Sequence, residues 1–162
     1  MVTKADAAPD PTACLDAPIG RTSGFRSLVG YGTRAWSEGY AEIVLDAAAE
    51  HLNSLGIVHG GVYAAMLDAA CGHAATYCPE PGHVRRAVTV SLAITYLAPA
   101  RAGLLVATGR LESIDKNRVA TVTARVAGAD GTIHAIAQAS FRYERGSERA
   151  EGVPRSQYGS VL

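Results

Sequence analysis

No window of this chain approaches the roughly 18 consecutive apolar residues of a membrane-spanning helix. Met1 to Pro18 holds one lysine and no continuous apolar run, so it reads as a flexible Ala-, Asp- and Pro-containing extension, not a secretory leader. Charge of one sign is also missing. Fifteen basic residues face fifteen acidic ones, and no overall field recommends nucleic acid as a partner. Cysteine is scarce: Cys14, Cys71 and Cys78 cannot all pair within one chain, and without an export signal they read as reduced thiols of a cytoplasmic protein. Cys71, His73, Cys78 and His83 include metal-ligating types. However, Cys71 and His73 stand two apart on a predicted helix and point to different faces, no C-x-x-C spacing occurs, and no metal is expected. The absence of G-x-S-x-G excludes a serine-hydrolase elbow. Internal repeats and low-complexity runs are absent as well.

What is present fits one soluble domain with a substantial core: 162 residues, 48% hydrophobic and 19% charged. Residues 1–22 read as an N-terminal extension and 23–145 as the domain. Residues 146–162, polar and broken by Gly and Pro, read as a flexible C-terminal tail. Strands are expected at about 31–37 and 40–45, where Ala41, Ile43 and Leu45 alternate with Glu42. A helix from about Gly60 to Tyr77 follows, stopping before Pro79. It is apolar or small nearly all round and must be buried on most faces. Further strands are expected at about 87–97, 104–114, 118–127 and 132–144, the last after an Asp130-Gly131 turn. Long strands with one apolar helix suit an antiparallel sheet wrapped around that helix, an α+β architecture.

The stretch Asn53-Ser54-Leu55-Gly56-Ile57-Val58-His59-Gly60-Gly61 runs directly into Val62-Tyr63-Ala64-Ala65-Met66-Leu67-Asp68. Glycine at a helix start leaves backbone N–H groups reachable where the helix dipole favours negative charge, which is the chemistry of an oxyanion hole. An aspartate among Ala, Met, Leu and Cys is costly to bury unless it is paired or has work to do. Burial raises a carboxyl pKa and makes it a better proton acceptor from water. The pair of features argues for chemistry at a carbonyl.

The spaced set Asn53, Gly56, His59-Gly60-Gly61 and Asp68, with Thr89-Val90-Ser91-Leu92-Ala93-Ile94-Thr95-Tyr96-Leu97-Ala98-Pro99-Ala100 after it, resembles the hotdog-fold acyl-CoA thioesterases, in particular their phenylacetic-acid-degradation branch. The resemblance covers about 24–145. It implies a hotdog fold, a dimer or dimer of dimers with sites at the interface, an acyl-CoA substrate and no separate cofactor.

On this reading Gly60 donates its N–H to the developing oxyanion, Asp68 is general base or nucleophile, and Asn53 helps to polarise the carbonyl. Thr89 matches the family hydroxyl that holds the attacking water. His59, grouped with the catalytic set, is read as orienting the loop through hydrogen bonds rather than acting as a base. Gly61, Tyr63, Met66 and Ser91 stand as substrate-side residues, Gly61 as the structural member of the pair and Ser91 as the fallback for Thr89 on the same strand face. Arg85, Arg86, Arg101, Lys116 and Arg118 lie near strand ends where coenzyme A phosphates could be gripped, but the motif assigns none of them.

Eight helical residues span about 12 Å, so one thioester cannot touch both Gly60 N–H and Asp68 of the same helix, and two subunits are required. The expected assembly is a homodimer, further to a homotetramer. The expected activity is hydrolysis of an aromatic or short- to medium-chain acyl-CoA. The alternatives are a non-catalytic acyl-CoA-binding sensor and, third, a hotdog hydratase or dehydratase. Asp68 and His73 have the spacing of that last class, but on a helix they diverge by roughly 140°.

Overall fold

The computed structural model describes residues 24–158. A short helix α1 (Gly24–Val29) leads into β1 (Gly32–Ser37) and β2 (Tyr40–Ala47), then the long helix α2 (Gly60–Thr76). The two-residue β3 (His83–Val84) precedes four long strands, β4 (Ala87–Tyr96), β5 (Gly103–Ile114), β6 (Val119–Gly128) and β7 (Ile133–Tyr143), and β8 (Val153–Pro154) closes the described chain. The six long strands form one antiparallel sheet in the order β1-β2-β5-β6-β7-β4. The expected elements are present. α1, β3 and β8 were not anticipated, being too short to give a periodic signal.

Helix α2 lies on the concave face of the sheet. Met66, Leu67, Ala70, Cys71, Ala74 and Ala75 are fully buried there against Ile43, Leu45, Leu105, Val122, Val126 and Tyr143. The many alanines let the helix sit low. Its closest approach is at Gly109 of β5, where a Cβ would fall 2.3 Å from the Ala70 carbonyl oxygen, so this strand position must be glycine. The β6–β7 hairpin turns at Asp130-Gly131 as expected, with Gly131 at φ +82° and the Asp130 carboxylate accepting from the Thr132 amide and hydroxyl.

Two sequence expectations change. Residues 146–156 are docked, whereas the sequence pointed to a flexible tail. Ser147 is fully buried, and Val153 of β8 pairs with Val84 of β3. The buried Arg85 guanidinium donates to the carbonyls of Ser147 (3.0 Å), Tyr77 (3.2 Å) and Glu148 (3.3 Å) and lies 4.8 Å from the centre of the Tyr143 ring. A polar, Gly-containing segment is held here through its backbone carbonyls, which side-chain composition does not advertise. Arg85 is therefore committed to the fold. The second change is in β4, where a bulge between Thr89 and Ser91 inserts Val90 and reverses the alternation. Thr89 pairs with inward-facing Phe141 and Ser91 with Ser140, so Ser91 faces away from α2 while Thr89 and Leu92 face it. The expectation that the two hydroxyls share a face fails for that reason. Residues 1–22 lie outside the described residues, as does Cys14.

Candidate active site

The loop into α2 is built around Asn53. Its backbone N–H donates to the Ile57 carbonyl (2.8 Å) and its carbonyl accepts from Gly56 N (2.9 Å), with Gly56 at φ +71°. Its side-chain oxygen accepts from Leu55 N (2.9 Å) and Ile57 N (3.4 Å). Asn53 is thus a turn residue first. With its Oδ1 occupied by amides, the Nδ2 donor is left without a partner among the described residues, at the edge of a groove of about 470 Å³. That groove is lined by Asn53, Ile57, Val58, Gly60, Tyr63, Tyr96 and the 97–99 turn. It is mainly apolar.

The two glycines at the helix mouth differ. His59 is the N-cap (ψ 140°), and its Nδ1 accepts from Gly61 N at 2.9 Å. This use of the Nδ1 lone pair makes the ring the cap of the helix mouth. A Cβ on Gly61 would meet His59 Nδ1 at 3.0 Å and crowd the cap. At Gly60 a Cβ would meet only the Tyr96 side chain, at 3.4–3.5 Å, which is ordinary contact. Packing within the chain does not demand glycine there. The Gly60 N–H has no partner among the described residues, while its carbonyl accepts from the Tyr96 hydroxyl (3.2 Å).

Asp68 lies two turns on, half-buried on the flank of α2 that faces β4, and Thr89 Oγ1 donates to its Oδ1 at 2.9 Å. Its charge reaches two neighbours. Burial first, and Asp68 second, push the Cys71 thiol up to about 12; burial, with Asp68 as a lesser cause and Arg26 opposing, raises the Tyr31 phenol. Cys71 is thereby kept a thiol. Tyr31, just before β1, feels the carboxylate's charge, a relation that no sequence signal offered. Tyr96 is the other addition to the site residues: the sequence suggested it only as a pocket wall, not as a partner of Gly60.

The remaining candidates separate clearly. Tyr63 is nearly fully buried at the back of the groove, its hydroxyl accepting from Ala100 N (3.2 Å). Met66 is wholly buried in the core, not in a substrate wall. Ser91 is on the far face of β4, as described above. His73 does not approach Asp68: its Nδ1 donates to the Ala69 carbonyl (2.8 Å), its Nε2 faces the Thr33 hydroxyl (3.4 Å), and its ring packs edge-on to Trp36. Among the basic residues, Arg86 lies 3.5 Å from Glu144 and Arg118 donates to the Tyr143 carbonyl at 3.4 Å, while Arg101 is exposed just beyond the groove. Among the described residues no group of three or more His, Cys, Asp or Glu is arranged to hold a metal, and no helix is long and apolar enough to cross a membrane.

Residues 55–135, half of the chain and spanning both Gly60 and Asp68, match the thioesterase superfamily family profile. The chain belongs to the thioesterase superfamily. Within it, this thioesterase-superfamily chain groups with the phenylacetic-acid-degradation branch of the hotdog fold. A phenylacetic acid degradation-related protein from Ralstonia eutropha is 31% identical over 75% of this chain and 91% of its own, with a TM-score of 0.65. A variant of the phenylacetic acid degradation protein PaaI from Thermus thermophilus is 26% identical over 74% of this chain and 99% of its own (TM-score 0.64). A Streptococcus mutans protein solved with acetyl-CoA shares the fold at 22% identity, over 70% of this chain and 88% of its own (TM-score 0.61). No curated protein matches the chain.

Proposed function

We propose that the protein is an acyl-CoA thioesterase acting as a homodimer or a dimer of dimers. The observation that carries this reading is the unpartnered Gly60 amide at the mouth of α2, opening on an apolar groove, on the same helix as a carboxylate aligned by Thr89. Water held against the bonded pair of Thr89 and Asp68 attacks the thioester carbonyl carbon, and Asp68 takes its proton. The oxygen gains charge against Gly60 N–H, with Asn53 Nδ2 as a second donor. The carbon–sulfur bond then breaks, the free acid forms, and coenzyme A leaves as thiolate to be reprotonated.

The two groups lie eight helical residues apart, about 12 Å, so the reacting set is assembled from two chains. β4 supplies the means. It is the end strand of the sheet, ten residues long, with Val88 and Val90 more than half exposed, a form of edge that recruits a further strand. It contacts Asp68 through Thr89 and Gly60 through Tyr96. Antiparallel pairing of two β4 strands about a twofold near Leu92 and Ala93 sets Thr89 opposite the partner's Tyr96, and so brings each carboxylate toward the other chain's Gly60. Continuity of the sheet keeps both helices on one face.

The apolar groove, walled by Ile57, Val58, Tyr63 and Tyr96, suits an aromatic or short- to medium-chain acyl group. The branch to which the relatives belong favours the aromatic class. Thiol release from a panel of aromatic and aliphatic acyl-CoAs is the test. Wild type should hydrolyse at least one of them, with a loss of about a hundredfold or more in Asp68→Asn. Binding without release from any acyl-CoA would replace hydrolysis with a sensor role.

A further inference from the structure

A single peptide group at the helix mouth is held from both sides. The Gly60–Gly61 unit accepts through its carbonyl oxygen from the Tyr96 hydroxyl at 3.2 Å and donates through its N–H to His59 Nδ1 at 2.9 Å. Because a peptide group is planar, fixing both ends fixes its plane. Gly60 is the hinge between this plane and the preceding peptide, which carries the unpartnered N–H and whose carbonyl accepts from Val62 N at 2.9 Å, and glycine has no Cβ to restrict such a hinge. The Tyr96 ring is braced in turn. It meets Tyr63 edge-on with centroids 6.1 Å apart; Tyr63 stacks on His134, and the His134 Nδ1 donates to the Ala98 carbonyl at 3.2 Å. Removing the hydroxyl would thus leave the ring in place and take from the peptide one of its two side-chain bonds.

We propose that Tyr96 is a positioning residue that sets the direction of the Gly60 N–H, acting with the His59 cap on the shared peptide. The proposal rests on Gly60 serving as the oxyanion donor of a thioesterase. It gives β4 a second duty, since the same strand orients Asp68 through Thr89.

The experiment is a double-mutant cycle on the full-length protein with the best acyl-CoA of the panel. Tyr96→Phe keeps the groove wall and should lower kcat about tenfold with KM changed by less than about twofold. In a Gly60→Pro background, where no N–H remains to be aimed, Tyr96→Phe should have no further effect, which a general structural role would not produce. His59→Asn, still able to cap, should lose less activity than His59→Ala. An unchanged kcat in Tyr96→Phe, a rise in KM alone, or additive losses in the cycle would overturn the assignment while leaving hydrolysis intact. A wild type without turnover would refute the thioesterase reading, and the proposal with it.

Discussion

Replacing Gly60 by proline tests the oxyanion role with little risk to the fold. Gly60 is the first residue of α2, a position where proline is favoured because its missing N–H has no intrahelical partner. His59, before it, has φ −65° and ψ 140°, the extended conformation a following proline requires. The Gly60 amide donates to nothing among the described residues, so no hydrogen bond is lost. A Cβ at this position meets only the Tyr96 side chain, at 3.4 Å or more. Thermal stability should be equal to or above wild type, since losing glycine's freedom in the unfolded chain contributes about 0.4–1 kcal/mol. Activity should behave in the opposite way. Removing one preorganised donor costs about 3–4 kcal/mol of transition-state stabilisation, or about 10²–10³ in kcat. Gly60→Ala is the control, adding the Cβ but keeping the N–H. Thiol release by the two variants, with melting temperatures alongside, makes the comparison. A folded proline variant that turns over within a few-fold of the alanine variant would refute the role of this amide.

Mixing Gly60→Pro and Asp68→Asn subunits should restore about a quarter of wild-type activity, because half of the dimers are mixed and each of those has one intact site; no recovery on subunit exchange would sink the shared-site geometry. Thr89→Val should lower kcat about tenfold by removing the 2.9 Å bond to Asp68, and Thr89→Ser should recover much of it. Gly109→Ala should cost about 3 kcal/mol or prevent folding, read by denaturant titration, because its Cβ would strike the Ala70 carbonyl. Burial, aided by Arg26 and opposed by the bond to the Ala69 carbonyl, lowers the His73 pKa from its ordinary 6.5. The unfolded chain then binds the proton first as pH falls, so His73's contribution, complete above about pH 6.5, should be lost below it at up to about 1.4 kcal/mol per pH unit. Denaturant titrations at several pH values should show that slope reduced in His73→Gln.

Local pattern is enough to specify the secondary-structure elements and to single out the candidate residues. Alternation of Ala41, Ile43 and Leu45 reports a half-buried strand, and a helix apolar on every face can only be a central one, because both patterns follow from local periodicity and burial. The spacing of Asn53, His59-Gly60-Gly61 and Asp68 placed a free helix mouth and a carboxylate on one helix. What depends on contacts between residues distant in sequence emerges only on folding. The bulge at Val90 separated Thr89 from Ser91, since one extra residue reverses all later side chains and no local pattern announces it. Met66, one of several apolar residues in α2, went to the core, a choice made by which face meets the sheet. Arg85 docked Ser147 and Glu148 through their carbonyls, groups that every residue type carries and composition cannot distinguish. The two glycines differ only because Tyr96, from a strand 36 residues away, approaches one of them and His59 caps the other.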